Sequence, residues 1–194
     1  MGIHGRVFSL VLPVPAAALA RSEAYGELDR ELRSAPFARK LAWPLLQRRA
    51  GKLHATVCGS LAAGDPPVIG PEIRDRLSRS GPLEVEVRGL FSGNVNIGRL
   101  YLRVYPECRA GENAIRSIQR IMGRRETDLY VIGIHNFIDD LDEVEAAALS
   151  RLLDAWWDRP LFRLRVDQLW LLAARDDLVL DSEVVERLPL VERG

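Results

Sequence analysis

The chain reads as an α+β protein made of two similar halves flanking a central groove, and three observations predict it. Strand-like and helix-like periodicities alternate along the 194 residues. Each half carries one histidine in a strand-like run: Lys52-Leu53-His54-Ala55-Thr56-Val57-Cys58 in the first, Tyr130-Val131-Ile132-Gly133-Ile134-His135-Asn136-Phe137 in the second. An apolar content of 47% is enough to fill a substantial core. A single domain over residues 1–194, descended from a duplication, is expected.

Taken in order, residues 1–5 read as a tail in which His4 has no role. Arg6 to Val14 reads as a first strand, with Pro13 and Pro15 marking its exit. The same region, Arg6 followed by Val7 to Ala20, has the make-up of a signal peptide with Ala18-Leu19-Ala20 as the small-residue site, but the prolines interrupt the apolar run. A helix is expected from Ala16 to Arg33, ending before Pro36. Residues 36–51 form a basic connector in which Arg48 and Arg49, with Lys52 just beyond, read as a solvated face rather than an anion site.

In the first histidine strand, alternation puts His54 and Thr56 on one face and Leu53, Ala55 and Val57 on the other. Cys58 shares the histidine's face, too far along the strand for proton transfer, and reads as a small buried residue. After a Gly/Pro-rich loop, Pro71 to Ser78 reads as a short helix with proline in its first turn. Pro82 to Gly89 alternates Leu83, Val85 and Val87 with charged residues, the mark of a half-buried strand. Ser92-Gly93-Asn94 turns the chain. Ile97 to Tyr105 follows as a strand with Leu100, Leu102 and Val104 on one side and Arg99, Tyr101 and Arg103 on the other.

Gly111 to Met122 reads as a helix stopped by Gly123. The second histidine strand follows, and Asp139 to Glu143 opens a helix to about Trp157, with Asp140 and Glu143 at capping-box spacing. These acids beside His135 read as a helix start rather than a metal set. Phe162 to Leu172 is expected to be one well-buried strand, and Leu178 to Leu190 an edge strand or extended return.

Composition narrows the function. Lys plus Arg and Asp plus Glu number 27 each, so a net charge of zero argues against an extended grip on duplex nucleic acid, while a small phosphate ligand stays open. No apolar run is long enough to span a membrane. Two cysteines make no disulfide framework, and reduced thiols in a cytoplasmic protein are expected.

His54-Ala55-Thr56-Val57 and His135-Asn136-Phe137-Ile138, in this order of elements, resemble the paired His-x-Thr/Ser motifs of the 2H phosphoesterase superfamily, which includes bacterial RNA ligase/cyclic phosphodiesterase proteins. The resemblance runs over nearly the whole chain. It implies two antiparallel sheets with helices outside and a groove between the lobes. It also implies metal-independent hydrolysis of a cyclic phosphodiester of a nucleotide or RNA end, with no cofactor. His54 and His135 would be the acid/base pair, because two near-neutral imidazoles can activate water and protonate the departing oxygen. Thr56 would stabilise the developing charge, and Arg99 and Tyr101, on a strand that contributes to the groove in that family, would contact substrate, although by themselves Arg99, Tyr101 and Arg103 read as a solvated face. Phe137 stands where the second hydroxyl belongs. It would share the groove face with His135 and could stack on a base, while Asn136 points away. A lost donor of this kind costs on the order of 10²–10³ in rate, which keeps two further readings open: a catalytically impaired relative that binds a phosphorylated ligand or RNA terminus, and a fold-only interaction protein.

Overall fold

The computed structural model describes residues 3–93 and 98–192; the side chain of His4, the turn residue Asn94 and the strand residue Ile97 lie outside that description. The strands are β1 (Ile3–Pro13), β2 (His54–Ala63), β3 (Leu83–Phe91), β4 (Arg99–Pro106), β5 (Cys108–Arg109), β6 (Glu112–Asn113), β7 (Tyr130–Asn136), β8 (Pro160–Val166), β9 (Gln168–Asp176) and β10 (Ser182–Pro189). The helices are α1 (Ala16–Arg21), α2 (Glu23–Ser34), α3 (Trp43–Arg48), α4 (Pro71–Ser78), α5 (Ala114–Ile121) and α6 (Glu143–Trp156). Eight strands form one antiparallel sheet in the order β10-β9-β1-β2-β7-β4-β3-β8, and β5 and β6 make a separate small hairpin.

The two expected sheets are therefore two halves of one. The half made of β10, β9, β1 and β2 meets the half made of β7, β4, β3 and β8 at a single ladder position, Ala55 opposite Ile132. Ala55, Val57, Leu100, Leu102 and Ile132 are buried together with Leu28, Leu32, Ile115 and Ile118 from the helices. The opposite face of the central strands carries the polar alternates and is left open. None of the described helices is long and apolar enough to cross a membrane.

Several boundaries differ from expectation for local reasons. The tail is shorter than expected, because β1 begins at Ile3, which pairs with Asp176. The first helix is broken in two at Ser22, whose hydroxyl accepts from the Tyr25 N–H and donates to the Leu161 carbonyl at 2.7 Å. Capping a new helix and tying it to β8 outweighs continuing the old one. The connector contains α3, with Pro44 in its first turn. The capping box is Asp142 with Glu145, two residues later than expected, and its reciprocal bonds are 2.9 and 3.0 Å.

Phe162 to Leu172 is two strands. Asp167 separates β8, at one edge of the sheet, from β9, in the other half, and its carbonyl accepts from the Leu190 N–H at 2.7 Å. An apolar run says nothing about which partner each part will find.

Gly89 meets a constraint that no other residue type can satisfy. Its φ is +76°, at the register shift between Arg88 and Leu90, and a Cβ there would stand 2.2 Å from the Trp157 carbonyl oxygen, which is backbone and cannot step aside. Gly89→Ala is expected to lower stability by about 2–4 kcal/mol through strain and overpacking. Urea denaturation of the two proteins measures it.

Candidate functional site

On β2, pleating delivers the expected arrangement: Ala55 and Val57 are buried on the helix side, while His54 and Thr56 line a cavity of about 400 Å³ on the open face. The His54 Nδ1 lies 2.7 Å from the Lys52 carbonyl. A carbonyl only accepts, so Nδ1 carries the proton and the Nε2 of the neutral ring presents a lone pair. Burial lowers the His54 pKa below its ordinary value. The hydrogen bond to Lys52 opposes that shift, and the charges of Arg99 and Arg49 add to it.

Arg99 and Tyr101 line the same cavity, so alternation on β4 places them with His54 and Thr56. His135 and Phe137 do not join them. Along β7, Tyr101 opposes Gly133 and Leu100 opposes His135, so two residues of β7 advance for one of β4 and Ile134 is the extra residue of a bulge. Every side chain after it changes face. Asn136, expected to point away, pairs with Arg99 on the cavity side. His135 turns to the helix side, 1% exposed, with its ring 4.7 Å from that of Trp43 in an edge arrangement. Phe137 packs edge-on against Phe37 at 5.8 Å, so no ring is offered to a base there. The two-histidine pair expected across the groove is not formed, because the rings lie on opposite faces of the sheet.

The single ladder contact identifies what replaces it. A twofold through Ala55 and Ile132 carries His54-Ala55-Thr56 onto Val131-Ile132-Gly133, and Val131 and Gly133 line the cavity. Val131 therefore stands opposite in symmetry to His54, and Gly133 to Thr56. The guanidinium of Arg99 fills the space: a Cβ on Gly133 would fall 2.2 Å from its Nη2.

Arg49 is the residue that sequence reasoning missed. It is 2% exposed rather than solvated, with Nη2 donating to the Ile134 carbonyl at 2.7 Å and Nη1 to the Asn136 Oδ1 at 3.4 Å. It thus caps the bulge that turns His135 away, while lining the cavity with Arg99. Leu45 and Leu53, four residues before and after it, were the available hint of an inward position; Gly133 inside a strand was the hint of a bulge.

Burial lowers the Arg49 pKa to about 10, with Arg99 pushing the same way. The pKa of the half-buried Arg99 is also lowered by burial, against the opposing influence of Tyr101 and Asp177. Among the described residues neither arginine has a carboxylate within ion-pairing distance, and Arg99 donates instead to the Asp177 carbonyl at 3.3 Å. Two cations drawn out of water, with the Asp177 charge acting on Arg99 alone, are costly unless an anion joins them.

Burial pushes the Cys58 thiol up to about 11, which removes it as a nucleophile at neutral pH. No cluster of metal-ligating side chains occurs among the described residues.

No protein-family model matches the chain, and no curated protein matches it in sequence. Solved structures do match in fold. Escherichia coli LigT complexed with phosphate superposes with a TM-score of 0.51 at 11% identity, covering 97% of this chain and 99% of that one. TT0787 of Thermus thermophilus gives 0.50 at 12% identity, covering 96% and 100%. LigT complexed with ATP gives 0.51 at 12%, covering 97% and 100%. The likeness is one of fold: the chain has the architecture of the 2H phosphoesterases, with its curled eight-stranded sheet and flanking helices.

The placement of His135 has a measurable consequence. Both ring nitrogens are buried without a hydrogen-bond partner, and burial lowers the pKa to about 4. The unfolded chain then takes up a proton near pH 6.5 that the folded chain refuses, so stability is full above that pH and falls as pH drops toward 4. This group alone accounts for a loss of about 3 kcal/mol. His135→Leu is expected to match or exceed the wild type at pH 7, because unsatisfied nitrogens are removed. It should also lose less stability between pH 6.5 and 4, with the share due to His54 remaining. Urea titrations at a series of pH values check both.

Proposed function

We propose that the cavity beneath His54 binds the phosphate of a nucleotide or RNA end, in a 2H-like fold that has given up two-histidine turnover. The observation that carries this reading is the convergence of the buried Arg49 and the half-buried Arg99, both without carboxylate partners, on a cavity that also holds His54, Thr56 and Tyr101. Its volume of about 400 Å³ suits a mononucleotide-sized ligand. An arginine fork complements phosphate oxygens in charge and geometry. Solved structures of the similarly folded LigT hold phosphate and ATP, which is in keeping with a phosphate ligand here.

Hydrolysis of a cyclic phosphodiester is the second reading, favoured by the intact His54–Thr56 pair. Its difficulty is the missing partner: an in-line opening needs an acid and a base on opposite sides of phosphorus, and the position related to His54 is Val131. Tyr101, buried in the same cavity without a well-formed hydrogen bond to its hydroxyl, is the group that could donate a proton in its place.

Two experiments test the proposal. Incubation with 2′,3′-cyclic nucleotides and cyclic-phosphate RNA ends, with chelator present, is expected to give no turnover that depends on His54. Turnover lost in His54→Ala would restore the hydrolase reading. In calorimetric titration with adenosine 3′-phosphate, Arg99→Leu and Gly133→Ala are each expected to weaken binding by about tenfold or more. The first deletes a charged donor and the second displaces it. Unchanged affinity in both would remove the arginine site.

A further inference from the structure

We infer that the ligand of this cavity is an open phosphomonoester with a free hydroxyl on the neighbouring carbon, the pattern of a ribonucleoside 2′- or 3′-phosphate, rather than a cyclic phosphate; the inference rests on the phosphate-binding reading above. It follows from the division of donors and acceptors around the cavity. Arg49 and Arg99 are donors only, and both are withdrawn from water without a carboxylate partner, so the phosphate belongs with them. His54 is the opposite. Its Nδ1 is committed to the Lys52 carbonyl at 2.7 Å, its ring is held neutral beside two cations, and its Nε2 makes no hydrogen bond within the described protein. That nitrogen can only accept.

A cyclic 2′,3′-phosphate has oxygens alone at this end and offers Nε2 nothing to accept; against the lone pair it places another acceptor. Opening the ring leaves a hydroxyl beside the phosphate. With the phosphate on the arginines, that hydroxyl has a proton to give to His54. The remaining side chains do not supply the same contact. Thr56, Ser9, Ser60 and Tyr101 carry hydroxyls that can donate as well as accept, and the Lys52 ammonium is turned to the Ser182 carbonyl. The Asp176 carboxylate accepts the N–H groups of Leu180 and Asp181 in its own turn. Asp177 lines the cavity too, but it is engaged with Arg99, which donates to its carbonyl at 3.3 Å and feels its charge. The loss of a second imidazole then has a positive meaning: the site is arranged for the opened ester, and a second proton-handling ring would add nothing to holding it.

The test is calorimetric titration of the full chain with three ligands: adenosine 3′-phosphate, 2′-deoxyadenosine 3′-phosphate and adenosine 2′,3′-cyclic phosphate. The first is expected to bind about tenfold more tightly than either of the others, the value of one hydrogen bond to a buried acceptor. In His54→Ala, checked for folding by circular dichroism, that preference should collapse towards one while both 3′-phosphates still bind through the arginines. Equal binding of the deoxy compound, tighter binding of the cyclic compound, or a preference that survives in His54→Ala would each overturn the inference. The wild-type comparison decides even if the variant fails to fold. Loss of binding to all three ligands would instead remove the phosphate-binding reading itself, so the two failures are told apart.

Discussion

Much of this molecule turns on the hydrogen bond from the Arg49 guanidinium to the Ile134 carbonyl. Where β2 and β7 part after one ladder position, the backbone of β7 loses its neighbour, and an unpaired carbonyl inside the protein must find another donor. Arg49 supplies it. The extra residue that this permits turns His135 and Phe137 to the helix side and brings Asn136 to the cavity side. The cost is a cation sequestered from water. That cost also makes the site, because the same guanidinium faces the cavity without a carboxylate to neutralise it.

The two halves of the sheet meet around a local twofold but differ chemically on either side of it. One half presents His54 and Thr56. The related positions of the other, Val131 and Gly133, present almost nothing, and the side chain of a neighbouring strand lies in the vacated space. A glycine here serves by being small rather than by being flexible: its backbone is ordinary, and what it contributes is room for Arg99. Arginine charge, rather than a second titratable ring, stands beside His54, and the proposed phosphate site rests on that difference.

The α+β class, the two-half organisation and the faces of β2, β3 and β4 could be read from period-two alternation. Those strands gain no residue of their own from His54 to Thr56, from Leu83 to Val87 or from Arg99 to Val104; the extra residues in the ladders beside β4 lie on β3 and β7. Alternation fails wherever the ladder gains a residue. Counting from Val131 puts His135 in the groove; the bulge at Ile134 puts it behind the sheet, and only Gly133 hinted at it. Arg49 was misjudged for a different reason. A basic residue in a basic stretch looks solvated until one knows that a strand is splitting beside it, and that is a property of tertiary structure. The division at Asp167 is of the same kind, since two strands of one apolar run go to opposite halves of the sheet.

The interleaving of the halves bears on how the chain is made. The half containing β3, β4, β7 and β8 is drawn from one continuous stretch of sequence, residues 83–166, whereas the other joins the first strands to the last, with β1 lying between β2 and β9. On a ribosome the middle stretch emerges with all its partners present, while β1 and β2 wait with an unfilled edge until β9 and β10 are synthesised. Distant pairings of this kind form slowly. His54 therefore reaches the surface of the nascent chain long before the wall that encloses it, and the cleft is among the last features of the molecule to be completed.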